Sequence, residues 1–280
     1  MSMAASRGYF DAHHSTVDEL VALVDTVTPP GTYPNASEIV QEVVVYDGDV
    51  VRAAAADPVR RRELMGEIAT VLLRGSGIVT IRRAVEPDPL DRTTAVFRQL
   101  VDEQRAGAAP EGDFFAAAGA NDRIWNALEK LAMASPDCFV DYYASEAVAL
   151  VCEAWLGPAY QVTSQINVVN PGGVAQSPHR DYHLGFCTPA QAAAYPVHTH
   201  SLSPLLTLQG AVAHGDMPVA SGPTKLLPHS QKYPPGYVVW KQPAVIELFE
   251  ARHVQLPLGS GDAVFFCPAV FHAAGSNHTT

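Results

Sequence analysis

The chain has 280 residues, of which 48% are hydrophobic and 17% charged, so it can bury a sizeable core as one domain. Its net charge of −11 argues against nucleic acid or an anionic membrane surface as partner, since both require a basic face. No apolar run approaches the ~20 residues needed to span a bilayer, and the N-terminus lacks the apolar core of a signal peptide. The four cysteines, Cys138, Cys152, Cys187 and Cys267, are scattered and form no Cys-x-x-Cys pair, which reads as reduced thiols and a cytoplasmic location. The sequons at Asn35 and Asn277 then read as coincidence.

The first half, residues 1–157, reads mostly helical. Asp57-Pro58 opens a helix from Val59 to Leu73, with Leu64, Ile68, Val71 and Leu72 on one face and Gly75 after its end. A short strand follows at Gly77–Ile81, and further helices are expected near 87–104, 122–134 and 137–156. From 158 to 280 the character changes. Tyr160–Val169 is β-branched and alternating, and it ends at the turn Asn170-Pro171-Gly172-Gly173. Leu205–Val212, Thr224–Leu227, Val254–Leu256 and Ala263–Phe266 are further strand candidates between Pro- and Gly-rich turns. Helices first and short strands afterwards give an α+β chain: a sandwich or jelly roll with helices packed on it.

His179-Arg180-Asp181 is the feature with the clearest chemistry. Residues i and i+2 of an extended strand face one side, so His179 and Asp181 can reach one ion together. A late His272, just past Ala263–Phe266, supplies a second imidazole if a distant strand returns it. Two imidazoles and one carboxylate form a facial triad that suits Fe(II) and leaves positions open for oxygen. In a chain with eleven histidines, a polar surface turn is the alternative.

Three segments in order carry a resemblance: Ser177-Pro178-His179-Arg180-Asp181-Tyr182-His183, Ala220–Lys232 with Gly222-Pro223 and Pro228-His229-Ser230-Gln231-Lys232, and Gly261-Asp262 leading to His272–Asn277. Together they resemble the phytanoyl-CoA dioxygenase family of Fe(II)/2-oxoglutarate-dependent oxygenases. The resemblance implies a double-stranded β-helix (jelly roll, cupin-like) core over residues 158–280, within a single oxygenase domain spanning 1–280. It implies metal ligation and catalysis by His179, Asp181 and His272, with Fe(II), 2-oxoglutarate as co-substrate, and O2. Asn167 and Gln209 are placed at the co-substrate, and the carboxylate at Asp181 points to hydroxylation or another oxidation of a small molecule rather than halogenation, with hydroxylation the default outcome. The family's guanidinium for the distal carboxylate of 2-oxoglutarate falls about eleven residues after His272, past Thr280. The expectation is therefore a chain that continues beyond Thr280, with Arg180 or Arg252 as the internal alternatives. A jelly-roll metal oxygenase or isomerase without 2-oxoglutarate, and a non-catalytic binding module, are the rival readings.

Other candidates read as structural. His198-Thr199-His200 is expected in a polar loop, and His214-Gly215-Asp216 in a turn. His183 and Tyr182 either line the substrate pocket or pack at its rim. Gly222–Lys225 lacks phosphate-loop spacing, Ser221 lies in no nucleophile elbow, and Arg60-Arg61-Arg62 reads as a solvated face. Ala190–Val197 is a candidate lid.

Overall fold

The computed structural model describes residues 8–13, 15–107 and 121–279. After helix α1 (Val17–Val24), strands β1 (Glu38–Val40) and β2 (Val43–Asp47) form an antiparallel hairpin. Its turn, Gln41-Glu42, has positive φ at both residues (51° and 68°). Helices α2 (Gly48–Ala55) and α3 (Pro58–Arg74) cross over to β3 (Ile78–Arg82), which runs parallel to β2. Asp57 caps α3 by accepting from the backbone N–H groups of Val59 and Arg60, and Pro58 sits where no helical N–H is required.

Helix α4 (Pro87–Gly107), strand β4 (Asn121–Ile124) and helices α5 (Ala127–Ala134), α6 (Pro136–Tyr143) and α7 (Glu146–Leu156) follow. Two expectations are corrected here. Residues 121–124 form a strand, and the helix expected over 137–156 is two helices. Its break lies at Ala144-Ser145, where Ser145 Oγ accepts from Val148 N and starts α7. Of the strand expected over Tyr160–Val169, only β5 (Ile166–Val169) pairs, with β4.

The second half adds α8 (Pro189–Ala193), α9 (Val197–Leu202), β6 (Gln209–Val212), β7 (Lys225–Leu226), α10 (Gly236–Val239), α11 (Pro243–Arg252), β8 (Ala263–Phe266) and β9 (His272–Ala273). The main sheet has the order β1-β2-β3-β8-β6. Three of its five strands therefore come from the half expected to be mostly helical. This is a mixed α/β fold in which both halves share one sheet.

That sheet is covered on both faces, which explains why β2 and β8 are unbroken apolar runs rather than alternating ones. Val44, Tyr46, Val79, Ile81, Ala263 and Phe265 pack with Leu64, Ile68, Val71 and Leu72 of α3 and Leu150 and Val151 of α7. The alternate residues Val43, Val45, Ile78, Val264 and Phe266 pack with Leu226, Leu256, Leu258 and Val270. That second face meets the short β7–β9 ladder. Single bridges widen the ladder on either side, Val254 pairing with Leu226 and His179 with His272. Val254–Leu256, expected as a strand, contributes only that one bridge.

Candidate metal centre

The site is built where the small ladder faces the main sheet. His179 and His272 are direct cross-strand partners: each backbone N–H donates to the other's carbonyl at 3.0 Å. That pairing sets the two imidazoles side by side, ring centroids 4.5 Å apart. Asp181 lies two residues along the same extended segment and so turns to the same side. One ligand atom from each of the three residues falls within 4.8 Å of the others. His272 Nε2 is 3.3 Å from Asp181 Oδ2, and His179 Nε2 is 3.8 Å from Asp181 Oδ1.

Both imidazoles are oriented in the same way. His179 Nδ1 lies 2.9 Å from the Ser177 carbonyl, and His272 Nδ1 lies 2.9 Å from the Val270 carbonyl. With Nδ1–H donated to a carbonyl in each case, both Nε2 atoms point into the space shared with Asp181, as a metal-binding histidine requires. Phe266 of β8 packs against the His272 ring at 4.8 Å. From β6, Gln209 Nε2 donates to Asp181 Oδ2, while Gln209 Oε1 is buried with no hydrogen-bond partner among the described residues.

Burial, together with the neighbouring His272, lowers the His179 pKa and keeps that imidazole in its neutral, ligating form. Burial acts on Asp181 in the opposite sense and would raise its carboxyl. The hydrogen bond to His272, the two nearby imidazoles and the Gln209 amide outweigh it and hold the carboxyl at about 2. The donor set thus combines a neutral His179 imidazole, the Nε2 atom of His272 and the Asp181 carboxylate. Two nitrogen donors and one hard oxygen, open on one side, fit Fe(II). The accessible side is that of Asp181, whose side chain is 27% exposed, against 17% for His179 and 6% for His272.

The model of the phytanoyl-CoA dioxygenase family matches residues 73–280. The chain belongs to this family. No curated protein matches it. Among solved structures, the non-haem α-ketoglutarate-dependent carbocyclase SnoK from nogalamycin biosynthesis is similar, with a TM-score of 0.50 and 16% identity over 75% of this chain and 78% of that one. A putative oxidoreductase from Salmonella typhimurium LT2 also has a TM-score of 0.50, with 13% identity over 83% of this chain and 70% of the other. At these identities the likeness concerns the fold.

Other residues of this phytanoyl-CoA dioxygenase family member fall into place around the triad. Gln209 reaches the Asp181 carboxylate directly. Asn167 sits on β5, and its Oδ1 accepts from Asn121 and Arg123 across the β4–β5 ladder. Arg180 faces the opposite side from its neighbours, as alternation demands. It is fully buried, donates to the Ser230 carbonyl at 2.6 Å and lies over the Phe271 ring at 4.4 Å. Arg252 is paired with Asp25 at 2.9 Å. Neither therefore presents a guanidinium to the triad.

His183 Nδ1 meets Ser203 Oγ at 3.1 Å. Tyr182 and His183 both carry positive φ (63° and 44°), a strained bend immediately after Asp181. The expected polar loop at 198–200 is instead part of α9, and His200 is buried against the Ala192 carbonyl. His214 is a packing residue held by Thr94 and Tyr142. Lys225 is paired with Glu250, and Arg61 with Glu153, as structural contacts. The candidate lid is α8 plus the turn into α9.

Sequence reasoning missed the buried strut behind the site. Ser230 Oγ accepts from the Phe271 backbone N–H, and the Ser230 carbonyl accepts from Arg180. One serine therefore ties the residue between His179 and Asp181 to the residue before His272. The signal was available, because the residue between two ligands on a strand must point into the core.

Proposed function

We propose that this chain is a non-haem Fe(II)- and 2-oxoglutarate-dependent dioxygenase that hydroxylates an unactivated C–H bond of a small molecule. The convergence of His179, Asp181 and His272, with both Nε2 atoms turned toward the carboxylate, carries the reading. Family membership and the fold shared with a carbocyclase described as α-ketoglutarate-dependent support it. The two facing sheets are, on this proposal, the sandwich of a double-stranded β-helix within a single oxygenase domain.

His179, Asp181 and His272 would hold the iron. Bound there with 2-oxoglutarate, iron supplies oxygen activation, the co-substrate leaving as succinate and CO2 while the substrate is oxidised. The chain's own contribution is placement. The cross-strand pair fixes the angle between the imidazoles, and the Ser177 and Val270 carbonyls fix their tautomers. Gln209 keeps Asp181 from rotating, and its second amide atom, together with Asn167 on β5, is assigned to the co-substrate side. Phe266 packs on the His272 ring and helps keep bulk water from the iron.

The test is anaerobic titration with Co(II), followed by aerobic incubation with Fe(II) and 2-oxoglutarate. One Co(II) per chain and formation of succinate are expected, with both lost in His179→Ala and in His272→Ala. Equal Co(II) uptake by wild type and His179→Ala would overturn the metal assignment. Metal uptake without any succinate would overturn the 2-oxoglutarate dependence alone.

A further inference from the structure

Between Asp181 and Asp216 the chain contains no Asp, Glu, Lys or Arg, although such residues make up 17% of the whole. This charge-free stretch has a particular place in the molecule. It departs from the metal carboxylate through Tyr182-His183 and returns to it through Gln209, which donates to Asp181. In between it folds back on its own beginning. Ser203 meets His183, and the Tyr195 ring stands edge-on to the His183 ring at 5.4 Å.

Its outward face carries several large apolar side chains. Phe186 is 77% exposed, Leu206 60% and Leu202 52%, with Leu205 and Tyr195 also exposed. Single exposed apolar residues are ordinary, but a group of them on neighbouring turns beside a metal centre marks a binding surface. Phosphate and carboxylate recognition relies on Arg and Lys forks or on backbone nests. Within this stretch the rim offers hydroxyl, imidazole and amide groups but no Asp, Glu, Lys or Arg.

We infer that the substrate is a neutral, largely apolar molecule, held by the rim of Phe186, Tyr195, Leu202, Leu205 and Leu206 over the open side of the metal centre. The inference rests on the metal-centre reading for the reaction, and it names the substrate class. A coenzyme A thioester, a phosphorylated metabolite or a zwitterionic amino acid would leave its charges without partners along this rim, a desolvation penalty that a neutral molecule avoids.

The experiment uses the full chain and Nile red as a neutral fluorescent probe. Naphthol, naphthalenesulfonate and octanoyl-CoA serve as competitors, and Co(II) titration is run in parallel. Naphthol is expected to displace the probe, naphthalenesulfonate to compete at least about tenfold more weakly, and octanoyl-CoA not to compete. Phe186→Asp and Leu206→Asp, both at exposed positions, should weaken probe binding about tenfold while leaving circular dichroism and Co(II) uptake unchanged.

Displacement by octanoyl-CoA at or below the naphthol concentration would overturn the proposal. So would unchanged Nile red binding in both variants. A dimer that dissociates in Leu206→Asp with no change in probe binding would assign the patch to a second copy of the chain, and it too would overturn the proposal. Failure of wild-type Co(II) uptake would strike the metal reading and leave the rim result standing.

Discussion

Two polar side chains show how much of this protein is set by single hydrogen bonds. Gln209 is the only contact from the main sheet to the Asp181 carboxylate found among the described hydrogen bonds, so its loss frees that proposed ligand to turn. Gln209→Leu should keep the fold and weaken Co(II) affinity by about 10–100-fold, the usual consequence of removing a partner that orients a ligand. Calorimetric titration checks this. His214 is the second case. Thr94 Oγ1 donates to the Leu90 carbonyl and so accepts from His214 Nδ1–H, which leaves Nε2 to accept from Tyr142 OH. A neutral ring satisfies both contacts, and burial pushes its pKa down to about 4.

A histidine depressed in the folded state binds its proton more readily when unfolded. Between about pH 6.5 and 4 the unfolded chain therefore carries the extra proton. Stability from this residue is fully present above that window and is lost as pH falls through it, by on the order of 3 kcal/mol. Tm measured across pH 4–7 should fall less steeply at the acid end in His214→Phe than in the wild type.

At the scale of elements, the turns fix the strands. Gly222, at φ +81°, closes the turn before β7, and a Cβ there would lie 2.7 Å from the Gly275 carbonyl oxygen. Gly222→Ala meets both the left-handed backbone and a rigid backbone neighbour, and should destabilise by about 2–4 kcal/mol in urea unfolding. The turn before β8 is held by Asp262, which accepts from Gly259 N, Arg83 N and Arg82 Nη1. The Gly-Asp pair quoted for the family resemblance thus has a mechanical role, since Gly261 carries φ +86° and Asp262 locks the turn to β3.

Some elements were legible because local signals agreed with tertiary demand. Helix α3 has a capping Asp, a Pro at its first position and one apolar stripe, and β8 is an apolar run bounded by Gly-Asp and Pro268. The β1–β2 hairpin was missed because its turn uses Gln41-Glu42 in place of Asn or Gly, although Val43-Val44-Val45-Tyr46 was a strand signal in its own right. Helices α6 and α7 were fused because an isolated Ser offers little contrast inside an apolar pattern. At the metal centre, the His-x-Asp alternation was readable. The i−2 carbonyls behind each imidazole were not, and the inward turn of Arg180 was readable without its Ser230 partner, which is brought to it only by the fold.

Across the whole molecule, the first half is wired into the catalytic half by buried polar contacts as well as by the shared sheet. Glu42, in the hairpin turn, accepts from Thr28 N and Oγ1 and meets His229 Nε2 at 3.1 Å, while His229 Nδ1 meets the Gly75 carbonyl. His229 precedes the Ser230 that braces both metal strands. Glu42→Ala strands a buried imidazole nitrogen and a backbone N–H. It should lower stability by about 1–3 kcal/mol while leaving Co(II) stoichiometry at one, and denaturant unfolding with a parallel metal titration separates the two effects.

The pairing of β3 with β8 has a consequence for how the polypeptide is made. The middle of the sheet joins Ile78 to Phe266 and Ile81 to Ala263, partners far apart in the order of synthesis. During translation, one flank of β3 stays bare until β8 has emerged, and the imidazole of His272 follows only after that. The nascent protein therefore passes through a long interval with a sticky, half-built sheet, when chaperone shelter matters most. Competence for metal cannot precede the emergence of the β9 segment that carries His272.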